Sequence, residues 1–251
     1  MARQTPVRTL LVVLPTYNER ANLERVVAGI LAHDFTKVLI VDDNSPDGTG
    51  ALADALAARH PDRVSVMHRT GPRGLGLSYI DGLKRALTTG ADAICQMDAD
   101  LSHDPAYLAD MARGLDQFDL VIGSRYLNGV SVVNWPLSRI FLSAFANRYI
   151  RFVTGLSPAD CTSGFRCWRR EALAQIPIAT MVSDGYSFLT EMLYEAKRRG
   201  FRIGEVPIIF VERSIGQSKL SSSVLIESLI MPWRLRLRSA GPLPPPTRSR
   251  S

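Results

Sequence analysis

Residues 92–105 read DAICQMDADLSHDP, a short apolar segment that turns abruptly acidic. The same pattern occurs twice nearer the amino terminus, in TLLVVLPTYNE (residues 9–19) and in KVLIVDD (residues 37–43). Each apolar run is continuous rather than alternating, which is typical of strands whose two faces are both covered by helices. Each run is therefore predicted to be a buried β-strand that ends in polar residues, and Pro15 is expected to stop the first one.

Amphipathic segments separate these strands along the chain. Residues 22–33, 48–60 and 76–87 carry apolar side chains at helical spacing, and a further strand is predicted at residues 64–69. Strands that alternate with helices in this way predict βαβ units. The expected fold class is therefore α/β, with a mostly parallel central sheet and helices on both of its faces.

In open sheets of this kind, ligands bind beyond the carboxyl ends of the strands. Three polar and acidic strand ends from distant parts of the chain are expected to converge there: Tyr17, Asn18 and Glu19; Asp42 and Asp43; and Asp98 and Asp100. Each one alone is equally well explained as a helix cap or a turn residue. Carboxylates that are crowded together cost free energy, however, and a bound cation would relieve that cost.

The pair Asp98 and Asp100 has the spacing expected of a divalent-metal site. Two carboxylates one residue apart can approach one point when the backbone turns between them, and Mg²⁺ and Mn²⁺ prefer oxygen ligands. Proteins typically hold Mg²⁺ with one or two carboxylates while substrate phosphates complete its shell. Asp98 and Asp100 are therefore the predicted metal ligands, and the metal would bridge the protein and a diphosphate.

Other nucleotide-binding patterns are absent from the sequence or fail on context. No P-loop sequence occurs. GTGALA at residues 48–53 formally matches the dinucleotide fingerprint, but DDNSPD separates it from the preceding strand and no acidic residue follows about twenty residues later. The three cysteines are too few and too irregular for a disulfide framework or a zinc site, so buried thiols are expected.

Charge and hydropathy limit the partners and the location of the protein. The 251 residues carry a formal net charge of +6, which favours a polyanionic partner or an anionic surface. The basic residues are not interleaved with a recognised nucleic-acid motif, so no nucleic-acid partner is expected. The run LLVVL is too short for a signal-peptide core, and no stretch has the 18 or so apolar residues of a spanning helix. The protein is expected to be cytoplasmic unless it lies on a membrane surface.

The second half of the chain changes character. No acidic residue lies between Asp119 and Asp160, whereas four arginines do: Arg125, Arg139, Arg148 and Arg151. The aromatic and basic stretch 135–152 and the stretch 224–239 both fit amphipathic helices in a membrane interface, with arginines at headgroup level. Alternatively, their apolar residues pack on the main domain. The Pro-rich tail at residues 240–251 is predicted to be disordered.

Seven motifs occur in a fixed order along the chain: PTYNE (15–19), VDDNSPDGT (41–49), GLGLSYIDGL (74–83), MDADLSHDP (97–105), GSRY (123–126), SGFRCWRR (163–170) and GEVPIIFVERSIGQSKL (204–220). Together they resemble family 2 glycosyltransferases, and specifically polyprenol-phosphate (dolichol-phosphate) mannose synthases. The resemblance implies a GT-A nucleotide-binding domain over residues 1–223, followed by the amphipathic membrane-surface segment 224–239 and the disordered tail 240–251.

The resemblance also implies an activity. It predicts transfer of mannose from GDP-mannose to a polyprenyl monophosphate, with inversion and with Mg²⁺ or Mn²⁺, by a peripheral protein on the cytoplasmic face of the membrane. Some relatives carry added transmembrane helices, so a separate integral-membrane partner protein is a further expectation here. Some relatives also have a side-chain amide where Ser102 stands, which leaves the third metal ligand open.

Site residues are implied by the same resemblance. The nucleoside would be held by Pro15, Tyr17, Glu19, Val41 and Asp43. Ribose, diphosphate and metal would be met by Asp98, Ala99 and Asp100. Donor or acceptor phosphates would be contacted by Arg125, Arg213 and Lys219. Catalysis would depend on Asp100, Arg125 and Lys219.

Three alternatives remain open from the sequence. The nearest keeps the fold and the lipid acceptor but uses UDP-glucose or another sugar nucleotide as donor. A nucleotidyltransferase would also use acidic groups and Mg²⁺, but it would release pyrophosphate. The third is a non-catalytic membrane-surface or nucleic-acid-binding protein, suggested by charge alone.

Overall fold

The computed structural model describes residues 5–181, 186–212 and 222–238. Within these residues, nine strands are present: β1 Leu10–Thr16, β2 Thr36–Asp42, β3 Val64–His68, β4 Ala93–Gln96, β5 Leu120–Ser124, β6 Val132–Val133, β7 Arg166–Arg169, β8 Ile203–Pro207 and β9 Phe210–Val211. The α-helices of the same residues are α1 Arg20–Leu31, α2 Thr49–Arg59, α3 Leu75–Leu87, α4 Leu108–Gly114, α5 Leu137–Thr154, α6 Arg170–Leu173, α7 Tyr186–Arg198 and α8 Ser222–Arg238.

Seven strands form the central sheet, in the order β3-β2-β1-β4-β7-β5-β8. Neighbours pair in parallel except at β7, which is antiparallel to both β4 and β5. The prediction of a mostly parallel sheet is therefore confirmed. A second, two-stranded sheet pairs β6 with β9.

The strand order reverses between β1 and β4. From β1 the chain moves outward to β2 and then β3, and it returns to place β4 on the other side of β1. Such a switch point leaves a crevice beyond the carboxyl ends of the two strands, since the flanking connections run to opposite sides. This crevice begins at Tyr17, after β1, and at Asp98, shortly after β4.

Two apolar layers cover the sheet, one on each face. Alternate residues of β1 point to opposite layers, so that Leu11 and Val13 join the layer of α3 and α7. Leu10, Val12 and Leu14 join the layer of α1, α2 and α4. Both faces of the strand are fully covered, which accounts for its unbroken apolar sequence.

Two predicted strand boundaries are wrong. Strand β1 continues through Pro15 to Thr16. Backbone groups alternate in direction along a strand, and the carbonyl of Val13 faces β4 while that of Thr16 faces β2. The backbone nitrogen of Pro15 therefore points toward β4. Since β1 pairs with β4 only as far as Val13, the N–H that proline lacks is not needed for a hydrogen bond between these strands. The apolar sequence EVPIIFVER (residues 205–213) predicts a single strand, but its described residues belong to two strands, because the chain leaves β8 to pair with β6.

The carboxyl-terminal amphipathic stretch forms helix α8, which packs against α5 and α7. Met231 and Leu235 of α8 are buried with Tyr194 of α7, whereas Trp233 and Leu237 are exposed. The helices in the described ranges include none that combines the length and the apolar character needed to cross a bilayer. The boundaries at residues 223 and 239 stay predictions, and the tail 240–251 lies outside the described residues.

Helix α3 lies unusually close to the sheet at Gly82. A Cβ atom at this position would come within 2.6 Å of Val13 Cγ1 and 2.8 Å of Val41 Cγ2. Both valines are fully buried and branched at Cβ, so neither can easily move aside.

We expect Gly82→Ala to lower the free energy of unfolding by about 1–2 kcal/mol, because overpacking outweighs the gain in helix propensity. Chemical denaturation measures this change. Gly90→Ala is the matched control, since its Cβ would meet nothing within 4 Å. Equal stability of the two variants would contradict the close packing of α3.

Candidate active site at the carboxyl end of the sheet

Asp98 is held from two directions at the end of β4. Its Oδ1 accepts a hydrogen bond of 2.7 Å from the hydroxyl of Tyr79 on α3. Its backbone N–H donates to Nδ1 of His103 over 3.1 Å. Burial raises the pKa of Tyr79 well above its ordinary value, and the charge of Asp98 raises it further. Tyr79 therefore keeps its proton at neutral pH and orients the carboxylate.

Asp100 is fixed by a local turn. Its Oδ1 accepts from the backbone N–H of Ser102 over 3.1 Å and from the Ser102 hydroxyl over 2.5 Å. Between them, Leu101 has a φ of 64°, a left-handed conformation that is rare for a residue with a branched side chain. This strained turn bends the chain directly after β4, as the spacing of Asp98 and Asp100 suggested.

The residues at this turn fit a divalent cation. Two carboxylates offer the hard oxygen donors that Mg²⁺ and Mn²⁺ prefer, with room for substrate phosphates in the shell. Gly164 borders Oδ2 of Asp98, and a Cβ there would lie 3.5 Å from that oxygen. The glycine thus leaves this side of the carboxylate uncovered.

The predicted crowding of all the acidic strand ends is wrong. Asp42 accepts hydrogen bonds from Ser45 and Thr16. Asp43 pairs with the buried Arg69 and accepts the N–H of Gly74 over 2.9 Å. Because β1 lies between β2 and β4, about 10 Å separates the two acidic ends. Across the described residues, no group of three or more His, Cys, Asp or Glu side chains is placed to hold a metal.

The other residues implied for the nucleoside surround the same crevice. Pro15 and Val41 are buried and lie directly opposite each other across β1 and β2. Tyr17 is exposed at the rim, where the guanidinium of Arg73 lies 5.0 Å from its ring centroid. Glu19 accepts a hydrogen bond of 2.8 Å from Asn22. Of the remaining predicted residues, Ala99 is buried next to Asp98, whereas Arg213 and Lys219 lie outside the described residues.

Arg125 follows β5 and forms a buried ion pair with Asp160. Its Nε and Nη2 donate to the two oxygens of Asp160 over 2.7 Å and 2.8 Å, and Nη2 also donates to Thr162 over 2.7 Å. Asp160 is fully buried. Burial alone would raise the pKa of Asp160, but the charge and hydrogen bonds of Arg125 outweigh that effect and hold the pKa below its ordinary value. Both groups are therefore ionised at neutral pH.

A row of rings joins Asp98 to Arg125, and we call it the aromatic wall. It consists of Phe165, His103, Phe210 and Trp135, whose successive ring centroids are 5.1, 5.7 and 5.5 Å apart. Toward the Phe165 end of the wall, Nδ1 of His103, the second ring, lies 3.9 Å from Oδ2 of Asp98. At the other end, Cζ of Arg125 lies 5.5 Å from the Phe210 centroid and 5.6 Å from that of Trp135. The wall thus links the surroundings of Asp98, one of the predicted metal ligands, to those of Arg125, the predicted phosphate-binding arginine.

Arg139 and Trp135 extend this end of the site. Cζ of Arg139 lies 4.2 Å from the Trp135 centroid, and its guanidinium pairs with Glu212. Nε1 of Trp135 is buried and has no hydrogen-bond partner among the described residues. The guanidinium groups of Arg125 and Arg139 therefore both lie against the Trp135 ring, beside a buried indole N–H donor, and arginine donors of this kind also bind phosphate groups. From the sequence, Arg139 is expected only as a headgroup-level arginine of the amphipathic stretch 135–152, with no individual role at the site.

Arg166 braces the loop that carries Asp160. It is fully buried and donates to the carbonyl groups of Ser163 over 2.8 Å, of Cys161 over 2.9 Å and of Leu189. Burial lowers the pKa of Arg166 to about 10, so it remains charged at neutral pH. Individual roles for Arg166, Asp160 and Tyr79 were not predicted. Arg166 and Tyr79 lie within two of the motifs that carry the family resemblance, and Asp160 ends the acid-free stretch.

The thiols are not part of this chemistry. All three cysteines are buried and free, as predicted. Burial raises the pKa of Cys161 to about 12, which keeps it protonated and unreactive. A cavity of about 410 Å³ lies at the opposite end of the sheet, beside Thr9, Lys37 and Val64, and none of the predicted site residues lines it.

Solved structures share this fold. The mannosyltransferase PcManGT from Pyrobaculum calidifontis, in complex with GDP-Man and Mn²⁺, aligns with a TM-score of 0.61 at 21% identity, over 98% of this chain and 68% of that one. Glucosyl-3-phosphoglycerate synthase from Mycobacterium tuberculosis, in complex with Mn²⁺, UDP and phosphoglyceric acid, aligns with a TM-score of 0.66 at 20% identity, over 94% and 80%. The predicted GT-A fold is confirmed.

Sequence comparisons define the family. Residues 11–176 match the model of glycosyl transferase family 2. The polyprenol monophosphomannose synthase of Mycolicibacterium smegmatis is 46% identical over 93% of this chain and 89% of its own length. The undecaprenyl-phosphate mannosyltransferase of Micrococcus luteus is 42% identical over 92% and 96%.

The protein is thus an enzyme of the glycosyltransferase class. The chain belongs to glycosyl transferase family 2, and it is similar over most of its length to polyprenol-phosphate mannose synthases. The nucleotidyltransferase and the non-catalytic binding protein are therefore set aside.

The Arg125–Asp160 pair predicts a specific dependence of stability on pH. A lowered pKa in the folded state means that Asp160 stabilises the fold above the ordinary aspartate pKa of about 4, and that this stabilisation is lost as the pH falls further. We expect Asp160→Asn to cost about 3–5 kcal/mol at pH 7, because it leaves a buried guanidinium without its counter-charge.

Chemical denaturation between neutral and acidic pH tests this expectation. The difference between the wild type and Asp160→Asn should stay constant down to about pH 4 and shrink below it. Asp110→Asn, which removes the exposed partner of Arg113, is the control and should change stability little. A difference independent of pH would show that the ion pair is not the source.

Proposed function

We propose that this enzyme transfers mannose from GDP-mannose to a polyprenyl monophosphate, giving polyprenyl-phosphate mannose and GDP with inversion at the anomeric carbon. The observation that supports the proposal is the aromatic wall, whose rings run from His103, beside Asp98, to Trp135, beside Arg125 and Arg139. An enzyme that joins a nucleotide-linked sugar to a phosphate needs both groups: carboxylates for a cation on the donor, and guanidiniums for the acceptor.

The printed names of two relatives support the lipid acceptor, and the GDP-Man complex of a structural neighbour supports the donor. Asp98 and Asp100 would hold Mg²⁺ or Mn²⁺. When bound, such a cation would neutralise the charge that develops on the leaving diphosphate. Pro15, Tyr17, Glu19, Val41 and Asp43 would surround the nucleoside, with Ala99 beside the ribose.

The acceptor phosphate needs no general base in this reaction. Its second pKa is about 6, so at neutral pH it is already an anionic nucleophile. One phosphate oxygen would form a bond to the anomeric carbon while the bond from that carbon to the diphosphate oxygen breaks, and GDP would leave with the electron pair. Arg125 and Arg139 would orient the attacking phosphate, with Arg213 and Lys219 proposed as further phosphate contacts.

The proposed lipid acceptor also implies that the enzyme lies at a membrane. The outward side of α5 exposes four apolar side chains at spacings that keep them on one side of the helix: Leu137, Phe141, Phe145 and Phe152. Helix α8 continues this surface with Leu229, Trp233 and Leu237. Trp233 Nε1 donates to the hydroxyl of Tyr149 over 2.9 Å, which ties the two helices together.

Contiguous exposed apolar side chains next to Arg148 and Arg151 fit a helix that lies in the headgroup region. We place the enzyme on the cytoplasmic face, where a lipid phosphate would reach Arg125. An integral-membrane partner protein stays a prediction.

Product formation from radiolabelled GDP-mannose tests the proposal. The assay contains a polyprenyl phosphate in detergent with Mg²⁺ or Mn²⁺, and parallel reactions contain EDTA or UDP-glucose as donor. We expect a lipid-linked mannose that disappears with EDTA. Transfer from UDP-glucose alone would keep the fold and the acceptor but overturn the donor, and product formation unaffected by EDTA would overturn the metal.

We expect Asp100→Asn to lower kcat by about 10²-fold or more, the scale at which loss of one preorganised electrostatic contact affects catalysis. The matched control is Asp104→Asn, which removes the same charge four residues later. Asp104 caps the next helical turn through its Oδ1, and asparagine can do the same. Steady-state kinetics at saturating donor measure the effect, and equal loss in both variants would contradict the metal assignment.

The combined replacement of Phe141, Phe145 and Phe152 by serine should weaken vesicle binding at least about tenfold, because burying each phenylalanine contributes roughly 1.5–3 kcal/mol. Cosedimentation with phosphatidylcholine vesicles, with and without phosphatidylglycerol, measures this. The thermal midpoint and transfer in detergent should stay near wild type. Undiminished vesicle binding would place the membrane contact elsewhere.

A further inference from the structure

Helix α5 has a polar side opposite its exposed apolar one. On this inner side Asn147 is 3% exposed, and it binds the loop 160–162. Its Oδ1 accepts the backbone N–H of Cys161 over 2.7 Å, and its Nδ2 donates to the hydroxyl of Thr162 over 3.4 Å and to the carbonyl of Ser143 over 3.0 Å. A single buried side chain therefore joins the apolar helix to this loop.

The residues on either side of Cys161 hold Arg125. Asp160 binds its guanidinium through two hydrogen bonds, and the Thr162 hydroxyl accepts a third. A second link runs in parallel, since the hydroxyl of Tyr126, the residue after Arg125, donates to Ser143 over 2.7 Å. Ser143 and Asn147 are one helical turn apart. A shift or tilt of α5 would therefore move both Tyr126 and the loop 160–162, the two segments next to the guanidinium of Arg125.

We propose that Asn147 is a positioning residue through which α5, seated on the membrane, holds the loop 160–162 and thereby sets the guanidinium of Arg125 toward the acceptor phosphate. The proposal rests on the proposed function, because it assigns Arg125 to that phosphate. It implies that kcat depends on Asn147, whereas binding of the nucleotide, which lies at the far end of the aromatic wall, does not.

The test compares Asn147→Leu with Thr154→Val. Leucine has the same number of side-chain heavy atoms as asparagine, branched at the same carbon, but is larger and makes no hydrogen bond to the loop. Thr154 is the matched control because it is also buried on α5, two turns further on, while its hydroxyl donates within its own helix, to the carbonyl of Ile150 over 2.6 Å. Asn147→Ser is a milder second variant in case leucine prevents folding.

Transfer from GDP-mannose to a polyprenyl phosphate in vesicles is the first measurement. We expect kcat to fall by about tenfold to 100-fold in both Asn147 variants, the range over which misplacement of a catalytic group acts, with KM for GDP-mannose unchanged. Thr154→Val should keep wild-type kcat. In the background of Arg125→Lys, Asn147→Leu should cause little further loss, because its effect passes through the guanidinium.

The second measurement needs no substrate. In protein labelled with ¹⁵N-arginine, the Nε–H resonance of Arg125, identified by its loss in Arg125→Lys, should exchange slowly with solvent because it is bound to the buried Asp160. We expect this protection to fall in the Asn147 variants and to persist in Thr154→Val.

The outcomes separate the two proposals. Wild-type kcat together with wild-type protection in the Asn147 variants overturns the positioning role and leaves the proposed function standing. An equal loss of kcat in Thr154→Val reduces Asn147 to a structural residue and also overturns it. Absence of transfer by the wild type with every donor overturns the proposed function, and the arginine resonance alone then decides whether Asn147 positions Arg125.

Discussion

The buried ion pair between Arg125 and Asp160 is the contact on which the second half of the molecule depends. Removing two charges from water is costly, and their attraction repays that cost only where further hydrogen bonds complete the site. Here Thr162 accepts from the same guanidinium, the backbone N–H of Arg125 donates to Asp160 over 3.1 Å, and Arg166 and Asn147 fix the loop between them. The antiparallel strand β7 starts at Arg166, so the loop is anchored by the sheet and by α5 at once.

The carboxylates that follow β2 and β4 have different partners. Asp43 is compensated inside the protein by Arg69, which also binds Asp81 over 2.8 Å and so ties the end of β2 to α3. Asp98 is oriented instead by the neutral hydroxyl of Tyr79, which leaves its negative charge in place. A carboxylate that is positioned but not neutralised is suited to a cation. The division explains why the acidic strand ends, alike in sequence, serve different purposes.

Local pattern decided what could be predicted from the sequence. Continuous apolar runs and helical spacing identified the first four parallel strands and the helices between them, whereas the metal-binding role of Asp98 and Asp100 stays a prediction. Strand β7 was not predicted, because its sequence RCWR is short and half basic. Arg166 and Arg169 can be buried because their guanidiniums donate to backbone carbonyls of the folded chain. The ion pair of Arg125 with Asp160 joins residues 35 positions apart, so it could not be predicted from the local sequence around either residue. The roles of Arg213 and Lys219 stay predictions, since both lie outside the described residues.

If the acceptor is a lipid phosphate, as proposed, the coupling through Asn147 would have a thermodynamic consequence. If seating α5 on a membrane favours the arrangement of Arg125 that binds phosphate, then phosphate bound at Arg125 must favour the seated helix by the same factor. The acceptor carries its phosphate at the membrane surface, so the two events are presented to the enzyme together. Membrane contact through the exposed apolar side of α5 and phosphate binding at Arg125 would then be coupled through Asn147. The outer side would recognise the surface on which the acceptor resides, and the inner side would orient the guanidinium that the acceptor meets.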